Sequence, residues 1–412
     1  MTKSSFSTKP LRWLIAEDSL EDRNGHWFEY LMGFHRELPR LGDQVTWLVS
    51  RRATQEVISS FEALPVLPES AFRKVSDAAP SWRRYLRIPL HGWKTYRSLN
   101  VFLRRQEKID MIFIPTVIVH HLLGWFFLVK TILKGRKTKV LFFFPNLPIR
   151  LNDSGSALDG SPTAHLTKKL LKGMAAEINS GQVILGVETL AMKRSAEEVF
   201  GVPFSYFPHP VAPFSSPSLA STSPASACLN LACYGAARFE KGSELLVSAI
   251  QEYLRRFPES SVKFIIQWID DFSLPDGMPA TVPDILRNHP SVQIIGRIFD
   301  EGEYEQWLAT TDVLLLPYRS SSYTLRVSRV VIEALVNGIP VVVTGGTTMA
   351  QQMQEFGSGV TCENEDIESL VTAITEVVSR HESLARSAGE RRQKASDHFS
   401  VLHFRKSLRA IE

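Results

Sequence analysis

The sequence predicts an α/β protein with two Rossmann-like, doubly wound parallel-sheet domains that face a cleft. Short, continuous apolar runs alternate with helical patterns along the chain, which is typical of strands buried on both faces of a parallel sheet. The chain has 412 residues, more than one hydrophobic core usually holds, and 44% of them are hydrophobic. Residues 215–228 are small, polar and interrupted by proline, so they predict a linker between a first domain over 1–214 and a second over 229–395.

Eleven apolar runs are predicted to be strands, and helical patterns lie between most of them. The strands of the first domain are predicted at Leu11–Ala16, Val45–Ser50, Met111–Pro115, Val140–Pro145, Val183–Val187 and Phe204–Phe207. The strands of the second domain are predicted at Leu229–Tyr234, Val262–Trp268, Val292–Ile295, Asp312–Pro317 and Pro340–Thr344.

The last two of these strands are joined by a polar loop and a helix. The helix carries one carboxylate, Glu333, among apolar neighbours. Ligands of parallel sheets bind at the carboxyl ends of the strands. The residues expected at this edge are Tyr318, Tyr323, Arg326 and Ser328. Glu333 is therefore a candidate binding residue, and the alternative is a simple ion pair with Arg329 one helical turn earlier.

A basic loop follows the first strand of the second domain. The strand ends at Gly235 and a helical pattern begins near Gly242, so Arg238 and Lys241 lie in a glycine-bounded strand-to-helix loop. Backbone amides and the positive end of a helix dipole lie beside these cations, which suits a pyrophosphate group. An ordinary solvated loop is the alternative, because Arg and Lys favour surfaces.

Together the two segments resemble the C-terminal domain of the GT-B glycosyltransferases, in particular the large retaining family usually numbered four, the glycosyl transferases group 1. The basic loop is similar to the family's G-x-x-R-x-x-x-K-G pattern, with slightly changed spacing. The later segment is similar to its Leu-Pro strand end and its E-A-x-x-x-G-x-P-V-V pattern. The residues that carry the resemblance are Gly235, Arg238, Lys241, Gly242, Leu316, Pro317, Glu333, Ala334, Gly338, Pro340, Val341 and Val342.

The resemblance implies that Arg238 and Lys241 hold the diphosphate of a nucleotide-sugar donor and that Glu333 binds the ribose hydroxyls. These three residues are thereby the candidate catalytic residues of a retaining hexosyltransferase-like enzyme. The resemblance also implies that a last helix, within 396–412, packs back onto the first domain. No metal or cofactor is expected, since Asp270 and Asp271 are adjacent and lack the Asp-x-Asp spacing.

The sequence departs from the family pattern at two places. The family usually has an acidic residue eight positions before its Glu, where this chain has Leu325, and that carboxylate normally contacts the donor sugar. The family's G-G-x-P loop is replaced by Gln267–Trp268. A catalytically altered GT-B subunit with a binding or chaperone role therefore stays open, and so does a GT-B sugar epimerase or phosphorylase.

Charge and cysteine content bear on partners and location. Residues 1–214 carry 29 Lys and Arg against 19 Asp and Glu, whereas the remainder carries 18 against 24, so the first half is expected to face something anionic. No zinc, helix-turn-helix or stacking-platform signature accompanies this charge, so nucleic acid is not the expected partner. Three cysteines without metal-ligand spacing predict a reducing compartment, the cytoplasm. The apolar run Trp13–Ala16 is too short for a signal peptide.

The segment Ser81–Lys108 mixes cations with Trp82, Tyr85, Trp93 and Tyr96. Aromatic rings among Lys and Arg are typical of a helix at a membrane interface. A lipid-linked saccharide acceptor on the inner face of the membrane, with the protein bound peripherally, would account for this composition. A solvated amphipathic helix with core aromatics is the alternative.

Polar residues that follow the strands of the first domain are the candidate acceptor-binding residues. They are Asn24, Gly25 and His26 after the first strand, and His120 and His121 after the third. A structural role is the alternative for each histidine. His209, which precedes the linker, is expected to shape the hinge.

Overall fold

A computed structural model describes residues 9–23, 26–72, 81–106, 108–151, 157–158, 160–213, 228–300 and 302–411. The chain divides into two units, one formed by residues 1–210 with 401–412 and the other by residues 211–400. Of the predicted linker 215–228, only Cys228 is among the described residues.

The first unit is built on a seven-stranded parallel sheet with the order β3-β2-β1-β4-β5-β8-β9. Its strands are β1 (Arg12–Glu17), β2 (Gln44–Ser50), β3 (Leu64–Leu67), β4 (Met111–Ile114), β5 (Lys139–Phe144), β8 (Val183–Val187) and β9 (Ser205–Tyr206). A separate antiparallel pair consists of β6 (Arg150–Leu151) and β7 (Ala157–Leu158). The central strands are buried along nearly their whole length, because helices cover both faces of the sheet.

The helices of the described residues that precede the second unit are α1 (His26–Arg40), α2 (Gln55–Phe61), α3 (Ser81–Arg104), α4 (Val119–Lys130), α5 (Pro162–Gly173), α6 (Ala175–Asn179) and α7 (Leu190–Phe200). Helices α3 and α4 cross with their backbones in close contact, and two glycines allow it. A Cβ atom at Gly124 would lie 2.5 Å from the carbonyl oxygen of Gly92. Any larger residue at Gly124 would therefore push the helices apart.

The second unit contains a six-stranded parallel sheet with the order β14-β11-β10-β15-β16-β17. Its strands are β10 (Leu229–Cys233), β11 (Val262–Gln267), β14 (Val292–Ile295), β15 (Val313–Leu316), β16 (Val341–Thr344) and β17 (Gly359–Cys362), with an antiparallel pair β12 (Phe272–Ser273) and β13 (Pro279–Ala280). Its helices are α8 (Ser243–Arg256), α9 (Asp284–Arg287), α10 (Glu303–Ala309), α11 (Ser320–Tyr323), α12 (Arg329–Asn337), α13 (Thr348–Phe356), α14 (Ile367–Ser379) and α15 (His381–His398).

The last helix, α16 (Val401–Arg409), is part of the first unit. Phe404 is fully buried in that unit's core, where its ring contacts Phe34, Phe113 and Phe207. Arg405 is also buried and donates two hydrogen bonds, of 2.6 and 2.7 Å, to the carboxylate of Asp43. The chain thus returns to its first unit through both apolar packing and a buried ion pair.

The two parallel-sheet units confirm the predicted fold class. Within the described residues, no helix is both long and apolar enough to cross a membrane. The apolar segment that follows β4 is helix α4, whose buried residues are part of the first unit's interior.

Candidate functional site

The basic loop of the second unit connects β10 to α8 at the carboxyl edge of the sheet. Residues Phe239–Lys241 form one 3₁₀ turn, and Gly242 then adopts a left-handed conformation with φ of 60° before α8 begins. A Cβ atom at Gly242 would collide with the carbonyl oxygen of Pro317, which follows β15. Glycine at this position therefore allows the two motifs found in the sequence to meet.

Lys241 extends from this loop over Gly235. Its Nζ atom would lie 2.6 Å from a Cβ atom at Gly235 and lies 5.7 Å from the ring centroid of Tyr318. Burial lowers the pKa of Lys241 below its ordinary value. In the described part of the chain the ammonium group forms no ion pair, so a bound anion would stabilise its charge.

Arg238, the other cation of the loop, is more exposed. Its guanidinium lies 3.6 Å from the carboxylate of Glu240, and its backbone amide donates to the Ser243 hydroxyl at 3.0 Å. Because Glu240 is adjacent to both cations, it reduces the positive charge of the loop. An entering polyanion would have to compete with Glu240 for Arg238.

Gln267 occupies the place where the family pattern has its G-G-x-P loop. The backbone amide of Gly235 donates to its Oε1 atom at 2.6 Å, and its Nε2 atom donates to the carbonyl oxygen of Arg297 at 2.9 Å. The buried amide side chain therefore fixes Gly235 relative to the end of β14.

Arg319 is the most important residue that the sequence interpretation missed. Its buried guanidinium donates to the carboxylates of Glu244 and Glu365 and to the carbonyl oxygen of Phe239, and it lies 3.6 Å from the centroid of the Phe239 ring. Its own backbone amide donates to the carbonyl oxygen of Glu240 at 3.0 Å. Arg319 thus holds the 3₁₀ turn in place, and its position directly after the Leu-Pro-Tyr strand end is the only sequence signal for that role.

Glu333 is buried on α12 and accepts two hydrogen bonds. Arg329 Nε donates to Oε1 at 2.7 Å, and the Tyr304 hydroxyl donates to Oε2 at 2.6 Å. Burial and the Glu333 charge raise the pKa of Tyr304 well above its usual value, so the phenol remains a donor. The ion pair with Arg329 exists, and the carboxylate keeps further lone pairs for another donor.

The remaining predicted residues surround the loop that follows β15. The rings of Tyr318 and Tyr323 lie 4.7 Å apart, and burial raises the pKa of both. The positive charges of Arg326 and Arg238, which are both exposed, partly offset the rise in the pKa of Tyr323. Ser328 is buried and caps α12 through the Val331 amide.

The candidate acceptor residues lie in the first unit. Asn24, Gly25 and the side chain of His26 are outside the described residues. His121 is buried against Asp18, with 2.8 Å between Nε2 and Oδ2, and the half-buried His120 ring lies 6.3 Å from that of His91. His209 binds Glu188 through Nδ1 at 2.7 Å and stacks on Tyr30 at 4.6 Å. The acceptor role of His120 and His121 stays a prediction, and so does the hinge role of His209.

The two parallel-sheet units have the architecture of the GT-B fold. Residues 229–380 match the family described as "Glycosyl transferases group 1". This match confirms the resemblance that the basic loop and the Glu333 segment predicted. It supports sugar transfer as the class of activity. Among curated proteins, no sequence is significantly similar to this chain.

Solved structures share the fold over nearly the whole chain. Sucrose-phosphate synthase from Thermosynechococcus elongatus has a TM-score of 0.59 at 14% identity, with 97% of each chain covered. HepE from Anabaena in complex with UDP-glucose has a TM-score of 0.61 at 13% identity, with 97% of this chain and 98% of that chain covered. The catalytic domain of starch synthase IV from Arabidopsis thaliana, bound to ADP and acarbose, has a TM-score of 0.59 at 11% identity, with 97% and 100% covered.

Proposed function

We propose that this protein is a retaining glycosyltransferase that moves a hexose from a nucleoside-diphosphate sugar to a saccharide or lipid-linked saccharide. The observation that carries the proposal is the environment of Lys241. This desolvated cation lies over Gly235 in the loop that precedes α8, and it forms no ion pair within the described residues. A diphosphate would supply the missing countercharge.

The chemistry follows from where charge develops. As the bond between the sugar and the diphosphate breaks, negative charge grows on the leaving phosphate. Lys241, Arg238 and the amides at the start of α8 are preorganised to stabilise that charge, so catalysis is mainly electrostatic. In this proposal the cations replace a divalent metal at the donor site.

Glu333 binds the ribose of the donor in this proposal. Arg329 and Tyr304 already hold its carboxylate in one orientation, so little side-chain freedom is lost when two hydroxyls donate to it. The Glu333 charge also contributes to the raised pKa of Tyr318, which places the carboxylate near the same aromatic pair. Glu333 is therefore a binding group and not the acid or base.

Leu325 stands where relatives of the family have an acid that contacts the donor sugar. Exposed Arg326 is the adjacent charged side chain, and it lies near Tyr323. A cation at this place favours a donor whose sugar carries an acidic group, or a further contact with the phosphates. We propose that Arg326 serves one of these two roles.

The acceptor proposal is supported by a groove in the first unit with a volume of about 890 Å³. Among the described residues, the cations that line it are Arg51, Arg52, Lys94, Arg97 and Arg105. Glu69 also lines it and pairs with Arg52 at 3.0 Å, while Trp93 and Phe102 add apolar surface. Cations beside apolar walls suit an acceptor that combines a phosphate with a lipid.

Helix α3 also supports peripheral attachment to a membrane. Leu86, Leu90 and Trp93 are 61%, 51% and 55% exposed, and their spacing of four and three residues places them on one face of the helix. Arg97 continues that face one turn later. We propose that this face binds the inner surface of an anionic membrane in the cytoplasm.

A panel of nucleoside-diphosphate sugars tests the function. We expect the purified full chain to release the diphosphate from at least one donor, and we expect Lys241→Ala to lower that turnover about 100-fold. Lys394→Ala is the matched control, because Lys394 is an exposed lysine of the same unit that lies 4.0 Å from Glu355. Wild-type turnover in the Lys241 variant would refute the assignment. Donor binding without turnover would favour the binding-subunit alternative.

A further inference from the structure

Three side chains from distant parts of the first unit meet inside it. Asp18 directly follows β1, His91 lies on α3 and His121 lies on α4. The Nε2 atoms of His121 and His91 lie 2.8 and 3.2 Å from Asp18 Oδ2, and one potential ligand atom from each residue lies within 4.8 Å of the others. All three side chains are at most 6% exposed.

The same place contains polar atoms that hydrogen bonding leaves unsatisfied. Asp18 Oδ1, Glu17 Oε2 and the hydroxyl oxygens of Thr95 and Thr116 are buried, and no partner for them exists among the described residues. These four residues and His121 line a small cavity with about 10 Å³ of room for the centre of a water-sized sphere. Such a cavity holds one water molecule or one ion. Unpaired polar atoms at a buried site are costly unless something binds to them.

Two imidazoles and one carboxylate form the ligand set of a divalent first-row transition metal. Metal–ligand bonds of about 2.0–2.2 Å place neighbouring ligand atoms roughly 3 Å apart, and the two distances from the histidines to Asp18 Oδ2 are close to that value. A metal at His121 Nε2 requires the proton on Nδ1. In this structure the Ile118 amide donates to Nδ1, which is the tautomer with the proton on Nε2. The distance is 3.3 Å, longer than an ordinary hydrogen bond, so this tautomer is held weakly.

We propose that Asp18, His91 and His121 bind one divalent transition-metal ion, such as zinc. The hydroxyls of Thr95 and Thr116 and the Oε2 atom of Glu17, which have no other partner among the described residues, would surround the ion. The ion would tie the end of β1 to α3 and α4. The proposed ion lies inside the first unit, and its ligands include none of the donor-binding residues of the second unit.

The location gives the ion a structural consequence. Helix α3 directs His91 and Thr95 to the cluster, whereas Lys94 and Arg97 line the basic groove. Close contact of the backbones at Gly92 and Gly124 keeps α3 and α4 in register beside the site. A bound metal would therefore stiffen the helix that carries the groove and its exposed apolar face.

Metal titration of the full chain, without an affinity tag and after removal of metal by a chelator, tests the proposal. Cobalt(II) is the probe, because its visible absorption reports coordination by nitrogen and oxygen. We expect one ion per chain, displaced by zinc, and a raised melting temperature with zinc. Asp18→Asn and His121→Gln should each weaken binding by more than the 10–100-fold that loss of an outer partner costs.

His165→Gln is the matched control, because His165 is an exposed histidine of the same unit. Circular dichroism and the melting temperature show whether each variant is folded. Asp18→Asn is nearly isosteric, so it keeps the test valid if His121→Gln fails to fold. The proposal is overturned by the absence of one-to-one binding in the wild type. Equal affinity in Asp18→Asn, or loss of binding in His165→Gln, would overturn it as well.

Discussion

Replacing Glu333 with Gln separates a ribose-binding carboxylate from a residue that only pairs with Arg329. The carboxylate offers about four lone-pair directions. Arg329 and Tyr304 occupy two of them at 2.7 and 2.6 Å, which leaves two for the ribose hydroxyls. The glutamine side chain keeps one acceptor oxygen but loses the charge and adds an N–H₂ group that faces one of these donors.

A hydrogen bond to a charged group contributes about 1.5–3 kcal/mol when it is lost from a buried site. Since about 1.4 kcal/mol corresponds to tenfold in affinity, Glu333→Gln should weaken binding of the nucleoside diphosphate by roughly 10- to 150-fold. Isothermal titration calorimetry on the full chain measures this directly. The nucleoside alone should show the same ratio, because the ribose contact does not involve the phosphates.

Glu376→Gln is a suitable control, because Glu376 pairs with Arg380 on the surface of the same unit. If Glu333→Gln binds the nucleoside diphosphate as tightly as the wild type does, Glu333 is only the partner of Arg329 and Tyr304. A loss that appears with the diphosphate but not with the nucleoside would also contradict the assignment.

Two further predictions concern the membrane and pH. The protein should float with liposomes that contain anionic lipid, and less so as salt rises, because the Debye length shrinks to about 3 Å at 1 M. Equal, negligible binding to neutral and anionic liposomes would remove the membrane role. Salt-independent binding to both kinds of liposome would assign the attachment to Trp93 and its apolar neighbours. The affinity for the diphosphate should fall at alkaline pH. Burial places the pKa of Lys241 below the ordinary 10.5, and the ammonium group loses its charge as pH rises through that lowered value. Affinity measured as a function of pH should show this fall in the wild type and not in Lys241→Ala.

The parallel sheets were predictable because their central strands are buried on both faces. All eleven predicted strands are present, with ends within one residue of the prediction. In the two parallel sheets the prediction missed β3 and β17, which lie at sheet edges, and it also missed the two-residue strands of the antiparallel pairs β6–β7 and β12–β13. Their sequences, LPVL and GVTC, contain a proline or a glycine and are too short to show a clear apolar period.

The side chains that position the candidate site could not be predicted in the same way. Arg319 reaches a loop 80 residues earlier in the chain, and Gln267 fixes a glycine 32 residues earlier. Asp18 and His121 are separated by 103 residues. These contacts depend on which strand ends are neighbours in the sheet, and no local pattern in the sequence encodes that order. The motifs of the basic loop and of Glu333 were visible because each lies within one strand-to-helix segment.

In the proposed function, the loop around Lys241 binds the diphosphate of the donor. The most direct test compares the affinities of the wild type and Lys241→Ala for a nucleoside diphosphate and the corresponding monophosphate, with Lys394→Ala as the control. The wild type should prefer the diphosphate by at least about tenfold, as expected for one added charge-assisted contact. Lys241→Ala should lose that preference while it keeps its affinity for the nucleoside. Equal affinity of the wild type for both nucleotides, or an unchanged preference in Lys241→Ala, would contradict the claim.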